Sequence, residues 1–154
     1  MPAATPSVLV IHGPNLNLLG EREPEVYGHT TLAQLDAQLS QLGSQLGVAV
    51  ICEQANGEGA IIDLLHHART RFGAVVINPG GYTHTSVAIH DAIAAITIPV
   101  LEVHLSNLYA RESFRHESVT GPACAGVIMG LGTTSYALAL RHAAVLAGAT
   151  SSPS

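Results

Sequence analysis

The chain of 154 residues contains no lysine; all six of its basic residues are arginines, Arg22, Arg69, Arg71, Arg111, Arg115 and Arg141. Covalent catalysis through a lysine Schiff base is thereby excluded. Tryptophan is also absent and aromatics make up 4% of the residues, which argues against the aromatic sandwich of a flavin site. Two cysteines, Cys52 and Cys124, are too few for a disulfide framework or a cysteine metal centre. The longest apolar runs are far too short to span a bilayer, and residues 1–7 lack the charged opening of a secretory signal. The cytoplasm is the expected location. A formal net charge of −5 disfavours nucleic acid or an anionic membrane as partner.

Charge of either sign is scarce, at 11% of residues against roughly 25% in ordinary soluble domains. A surface so poor in charge is expected to be covered partly by other copies of the chain, as in a homo-oligomer. A bias toward alanine and glycine is the plainer explanation. Arg22, Arg111 and Arg115 fall in polar loops, and basic residues gathered at loops of an acidic protein suggest a small anionic ligand.

What is present is a regular alternation. Short β-branched runs at 8–11, 48–52, 74–77, 99–103 and 126–129 read as buried strands. Between them lie helical patterns at 31–46, 86–95 and 135–147, and one following the 53–59 loop. In the first of these, Leu32, Leu35, Leu39, Leu42 and Leu46 recur at spacings of three and four and form one apolar face. Thr30 or Thr31 can cap it and Gly47 can end it. In the helix after the 53–59 loop, Ile61, Leu64, Leu65 and Ala68 share a side, with one ring of His66–His67 expected in solvent and the other partly buried. Leu138, Val145 and Leu146 read as core. Strands alternating with helices predict an α/β domain with a parallel sheet covered on both faces. The flavodoxin-like three-layer sandwich, with five strands in the order 2-1-3-4-5, is the expected form. Residues 1–154 read as one such domain, with 1–6 and 149–154 as flexible tails.

Open α/β sheets bind ligands outside the carboxyl ends of their strands. The reactive side chains follow the strands here. His12, Asn15, Asn17, Arg22 and Tyr27 come after the first; Glu53, Gln54, Asn56 and Glu58 after the second. Asn78, Tyr82 and His84 follow the third, and Glu102, His104, Ser106, Asn107, Arg111 and Arg115 lie at or beyond the end of the fourth. Glu102 and His104 are two apart, so on a strand they face the same side. A carboxylate beside an imidazole fixes its tautomer and suits it to acid–base work; the spacing equally allows a structural hydrogen bond. Tyr27 lies five residues after Arg22. Only about 0.1% of an ordinary tyrosine is phenolate at neutral pH, and guanidinium charge at contact distance raises that share. Tyr27 packed against Thr30 and Leu32 is the structural alternative. The loop 18–28, flanked by Gly20 and Gly28, is placed to close over a ligand.

The tight loop from Asn78 to Gly81 exposes backbone, and the N–H groups of Leu105 and Ser106 precede a short helix; both suit an anion. Asp91, inside a helix, either stays solvated or reaches an arginine at a subunit contact. Nine histidines raise the question of a metal, but no HExxH or CxxC spacing is present, and no metal or cofactor is expected. His29, His90, His116 and His142 have no local support for a role. A phosphoacceptor site needs carboxylates at strand ends, whereas Asp36, Asp63 and Asp91 all sit in predicted helices.

The segments His12-Gly-Pro-Asn-Leu-Asn-Leu-Leu-Gly20, Arg22-Glu-Pro and Tyr27-Gly28 resemble the N-terminal signature of the type II 3-dehydroquinate dehydratases. Asn78-Pro-Gly-Gly-Tyr-Thr-His-Thr-Ser86 and Glu102-Val-His-Leu-Ser-Asn107, followed by Arg111, Arg115 and His116, resemble the family's other motifs in the same order. The similarity runs from about Val8 to Leu146. It implies a flavodoxin-like fold, a dodecamer built as a tetramer of trimers, and reversible anti dehydration of 3-dehydroquinate to 3-dehydroshikimate through an enolate. The shikimate pathway or quinate catabolism is the implied setting, with neither metal nor covalent intermediate. By this resemblance Tyr27 takes the proton α to the ketone, Arg22 favours its phenolate, and Asn15 holds the water that stabilises the enolate. His104 protonates the leaving hydroxyl and Glu102 orients it. Asn78, His84 and Arg115 bind substrate hydroxyls, Leu105 and Ser106 the carboxylate, and Arg111 pairs with Asp91 of a neighbouring subunit. The chain departs from many relatives at Glu117 and Val119, where they have a second histidine and an aromatic residue.

Overall fold

A computed structural model describes residues 4–149. Of the segments expected as tails, 1–3 and 150–154 lie outside the described residues. Within them, the Pro6 carbonyl accepts the Ala49 N–H at 2.9 Å and the Ala149 N–H reaches the Ala144 carbonyl at 2.9 Å.

The five strands are β1 (Ser7–His12), β2 (Ala49–Gln54), β3 (Ala74–Asn78), β4 (Val100–His104) and β5 (Gly126–Met129). All pair in parallel, in the order β2-β1-β3-β4-β5. The expected sheet is the observed one. Side chains alternate across it, so consecutive residues feed two separate cores. Val8, Val10, Val76, Leu101 and Val103 point to one face. They meet Leu35 and Leu39 of α2 (Leu32–Leu46) and Tyr136, Leu140 and Ala143 of α5 (Thr133–Leu146). Leu9, Ile11, Val75, Ile77 and Val100 point the other way, onto Ile61 and Leu65 of α3 (Glu58–Arg71) and Ile89 and Ile93 of α4 (Val87–Ala95). Two strand faces covered by two helices each explain why β1, β3 and β4 read as near-continuous apolar runs.

The helix ends obey local chemistry. Thr31 caps α2 in a reciprocal capping box with Gln34, and Gly47 closes it in a left-handed conformation at φ 79°. Ser86 caps α4 through the Ile89 N–H.

Three expectations need correction. At their carboxyl ends β1 runs one residue and β2 two residues further than their apolar runs, because pairing continues through Ile11↔Glu53 and His12↔Gln54. His12 is therefore a buried strand residue and not part of the loop after it. Leu138, Val145 and Leu146 are 41%, 53% and 40% exposed. The inward face of α5 is set by Tyr136, Ala139, Leu140 and Ala143, and Leu138 and Val145, seven residues apart, fall together on the outward face. Both His66 and His67 are exposed, because Leu65 and Ala68 take the inward positions of α3.

Candidate active site

The register of the sheet places His12, Gln54 and Asn78 side by side at the ends of β1, β2 and β3. Just beyond them the β1 and β3 loops touch: the Gly13 N–H donates to the Asn78 carbonyl at 2.8 Å. A Cβ on Gly13 would lie 2.5 Å from that oxygen, so only glycine permits the approach. The approach brings Asn15 and Asn78 onto one rim. Asn15 is left-handed at φ 69°, a conformation asparagine tolerates better than most residues. Its N–H is held by Asn56 Oδ1 at 3.0 Å, and Gln54 Nε2 donates to the same oxygen at 3.0 Å and to the Gly13 carbonyl at 3.2 Å.

The result is a cavity of about 200 Å³ at the carboxyl ends of β1, β3 and β4. Asn15, Arg22, Tyr27, Asn78, His84, His104, Leu105, Ser106, Arg111 and Arg115 all border it. A cavity of that size suits a small polar molecule rather than a flavin or dinucleotide. Of the residues to which the resemblance gives a role, two lie outside it: Glu102, which lies behind His104, and Asp91. Asp91 sits on α4 with its side chain 71% exposed, beside the Nδ1 of its neighbour His90 at 3.0 Å.

Tyr27 ends α1 (Pro24–Tyr27), a single turn inside the expected loop that opens on Pro24 and closes at Gly28 with φ 80°. The Arg111 Nη1 group donates to Tyr27 Oη at 2.9 Å. The guanidinium carbons of Arg22 and Arg111 lie 4.7 and 5.3 Å from the centre of the ring. Two guanidinium groups thus stand against the phenol from different loops. Tyr27 also packs, partly buried, against the core cluster on the α2 side of the sheet. Arg111 is itself anchored, its carbonyl accepting from His116 Nε2 at 2.9 Å. Nothing in the spacing marks His116 for that task.

Glu102 is fully buried on β4. Its Oε2 accepts from His104 Nε2 and from Thr83 Oγ1, each at 2.7 Å, and its Oε1 accepts from Thr120 Oγ1 at 2.5 Å. Burial alone would raise the Glu102 carboxyl, but the His104 hydrogen bond and charge, with the Thr120 and Thr83 hydroxyls, hold it below the ordinary carboxylate range. An ionised carboxylate can only accept, so the His104 Nε2 carries the hydrogen and Nδ1 is the ring nitrogen left for chemistry. The Glu102–His104 pair was legible from spacing; the hydroxyls of Thr120 and Ser118, from a loop sixteen and more residues away, were not.

On the far wall, His84 Nδ1 donates to the Glu117 carbonyl at 2.7 Å, and the Val119 N–H donates to the Thr83 carbonyl at 2.6 Å. Both departures from the family pattern thus meet the site through backbone groups. Arg115 is braced by Glu112 at 2.9 Å and by the Phe114 ring at 4.8 Å. Asp36, Asp63 and Asp91 lie on α2, α3 and α4, so among the described residues no aspartate cluster stands at the strand ends. Away from the cavity, ligand atoms of His12, Asp36 and Cys52 lie within 4.8 Å of one another. Distances along the chain hid this group from any spacing rule.

Comparison with known proteins follows the same lines. The family model of class II dehydroquinases matches residues 6–144. The 3-dehydroquinate dehydratase of Pelotomaculum thermopropionicum is 55% identical over 92% of this chain and 98% of its own length. The catabolic 3-dehydroquinase 2 of Aspergillus flavus is 51% identical over 90% of this chain and 92% of its own. The crystal structure of a type II dehydroquinase from Butyrivibrio crossotus superposes with a TM-score of 0.89 at 44% identity, covering 90% of this chain and 97% of that one. Matched by that family model over nearly its whole length, and alike in fold to a solved member, the chain belongs to the class II dehydroquinase family.

Proposed function

We propose that the protein catalyses the reversible dehydration of 3-dehydroquinate to 3-dehydroshikimate, by anti elimination through an enolate. The observation that carries this reading is the cavity itself, which sets a cation-flanked phenol and a carboxylate-backed imidazole into one small polar space.

Tyr27 removes the proton α to the ketone, with Arg111 and Arg22 stabilising its phenolate. The electron pair passes to the carbonyl oxygen, and Asn15 holds the water that hydrogen-bonds the enolate. His104 then protonates the hydroxyl β to the ketone through Nδ1 as the enolate collapses, and water leaves. Glu102 orients the ring and stabilises its cationic form. Asn78, His84 and Arg115 bind substrate hydroxyls, and Leu105 and Ser106 hold the carboxylate through their N–H groups. Asp91 does not line its own cavity and is assigned to Arg111 of a neighbouring copy, which fits a homo-oligomer, a dodecamer of four trimers. The reaction uses neither metal nor Schiff base, and proceeds in the cytoplasm as part of the shikimate pathway or of quinate catabolism.

The decisive assay is growth of enone absorbance on addition of 3-dehydroquinate. Folded protein that produces no such signal overturns the assignment.

A further inference from the structure

Behind His104, the Glu102 carboxylate sits in a ring of hydroxyl groups drawn from two separate loops. Thr83 and Thr120 are fully buried and Ser118 is half-buried, and none of the three lines the cavity. Thr83 stands in the turn Gly80–His84 after β3, while Ser118 and Thr120 belong to the segment between β4 and β5. Backbone joins the two loops, through the Val119 N–H and the Thr83 carbonyl at 2.6 Å, and the Gly121 N–H holds Ser118 Oγ at 2.8 Å. The titratable groups facing the carboxylate are His104, on its own strand, and the Cys124 thiol, whose sulfur lies 3.9 Å from Oε1.

Donor counting orders the ring. The carboxyl is held below its ordinary range, and an ionised carboxylate only accepts. Thr83 Oγ1 lies 2.7 Å from Oε2 and Thr120 Oγ1 lies 2.5 Å from Oε1, so each hydroxyl gives its single hydrogen to Glu102. Ser118 Oγ lies 2.7 Å from Thr83 Oγ1 but 3.4 Å from Glu102 Oε2, so its hydrogen goes to Thr83. The Thr83 and Thr120 oxygens are then 3.0 Å apart with no hydrogen left to share. Only the carboxylate between them makes that approach favourable.

The consequence concerns the direction of the imidazole. The last torsion of a glutamate is broad, so a carboxylate held at one oxygen can turn. Held at both, it cannot. His104 Nε2 takes its bearing from Oε2 at 2.7 Å, and a fixed Oε2 fixes the ring. We propose that Thr83 and Thr120 are positioning residues that clamp the two oxygens of Glu102, with Ser118 directing the Thr83 hydrogen, and so hold His104 Nδ1 toward the substrate. This rests on the dehydratase reading for its effect on rate, though not for the clamp itself.

The test joins a titration to steady-state rates, in variants whose fold is checked by circular dichroism and melting. The carbon-13 carboxyl resonance of Glu102, assigned by its loss in Glu102→Gln, is followed against pH. Thr120→Val keeps the branched shape and removes the donor. It is expected to raise the Glu102 midpoint by about one pH unit, whereas Thr120→Ser leaves it near the native value. With 3-dehydroquinate, Thr120→Val is expected to lower kcat about tenfold while KM stays within about twofold, and Thr120→Ser to restore kcat. If Thr120→Val does not fold, Ser118→Ala carries the same test with an expected rise of about half a pH unit. A midpoint unmoved by loss of these hydroxyls overturns the clamp. A rise in KM with kcat intact, or a loss of kcat that Thr120→Ser does not restore, overturns the positioning role, because packing alone would behave that way. Native protein that fails to convert 3-dehydroquinate overturns the dehydratase reading, and the titration still decides the clamp.

Discussion

Arg111 and Tyr27, 84 residues apart in the chain, are joined by one hydrogen bond of 2.9 Å from guanidinium to phenol. That contact ties the loop after β1 to the loop after β4 and places the proposed base beside its stabilising cation.

Tyr27→Phe removes the oxygen that takes the proton and is expected to lower kcat by about three orders of magnitude. Arg111→Met leaves the phenol but removes its donor, and the expected loss is smaller, about tenfold to a hundredfold. Both are read from steady-state enone formation. Near-normal turnover by Tyr27→Phe would show that another group is the base.

Glu102→Gln keeps the shape of the side chain while placing an amide among groups that all donate to it. Turnover is expected to fall about a hundredfold. The same variant tests a pH effect. The Glu102 carboxyl is held below its ordinary value of 4.5 in the folded protein. Its contribution to stability is therefore complete above that value and is lost as pH falls through the lower folded one. The gap in melting temperature between the native protein and Glu102→Gln is expected to be constant near neutrality and to shrink below about pH 4.5. A gap that widens on acidification would contradict this sign.

Gly13→Ala would set a methyl group 2.5 Å from the Asn78 carbonyl oxygen. Backbone on both sides cannot yield cheaply, and a loss of about 2 kcal/mol is expected in denaturant unfolding. Substrate binding should weaken with it, since the same contact sets the spacing of Asn15 and Asn78.

Burial pushes the Cys124 thiol up to about 12, with the Glu102 charge adding to it, and raises Cys52 still further. Thiolate is the reactive form. Labelling by a disulfide reagent at pH 8 is expected to be far slower in native protein than in denaturant. Rapid native labelling of either cysteine would contradict the placement.

EDTA is expected to leave the rate unchanged, and protein treated with borohydride in the presence of substrate, then freed of both, is expected to keep its activity. Inhibition by the first would argue for a metal and by the second for an imine.

The sheet order and most cavity residues could be read from the chain because strand ends and motifs are local signals. Val8–Ile11 and Ala74–Ile77 announce buried strands by composition, and Glu102 and His104 share a face by the two-residue repeat of a strand. The loop after β1 concealed more. Its short α1 has too few residues for a periodic signal, and His12 joined β1 through register rather than apolarity. Leu138 and Val145 misled because apolarity was weighed without the helix phase that Tyr136 and Leu140 impose. Asp36, Tyr136 and Thr120 carry no motif; only the folded sheet gives them partners.

The contact between Gly13 and Asn78 also bears on how activity returns after unfolding. The cavity wall draws on residues from Pro14 to Arg115, separated by most of the sheet. No fragment ending before β4 holds both the phenol and the Arg111 group that donates to it, and no local helix or hairpin assembles any half of the site. Loop-closure entropy must be overcome for β1, β3 and β4 together before the first turnover can occur. Recovered enzymatic rate is thus a stricter gauge of complete refolding than helical signal, which α2 and α3 can regain on their own side of an unfinished sheet.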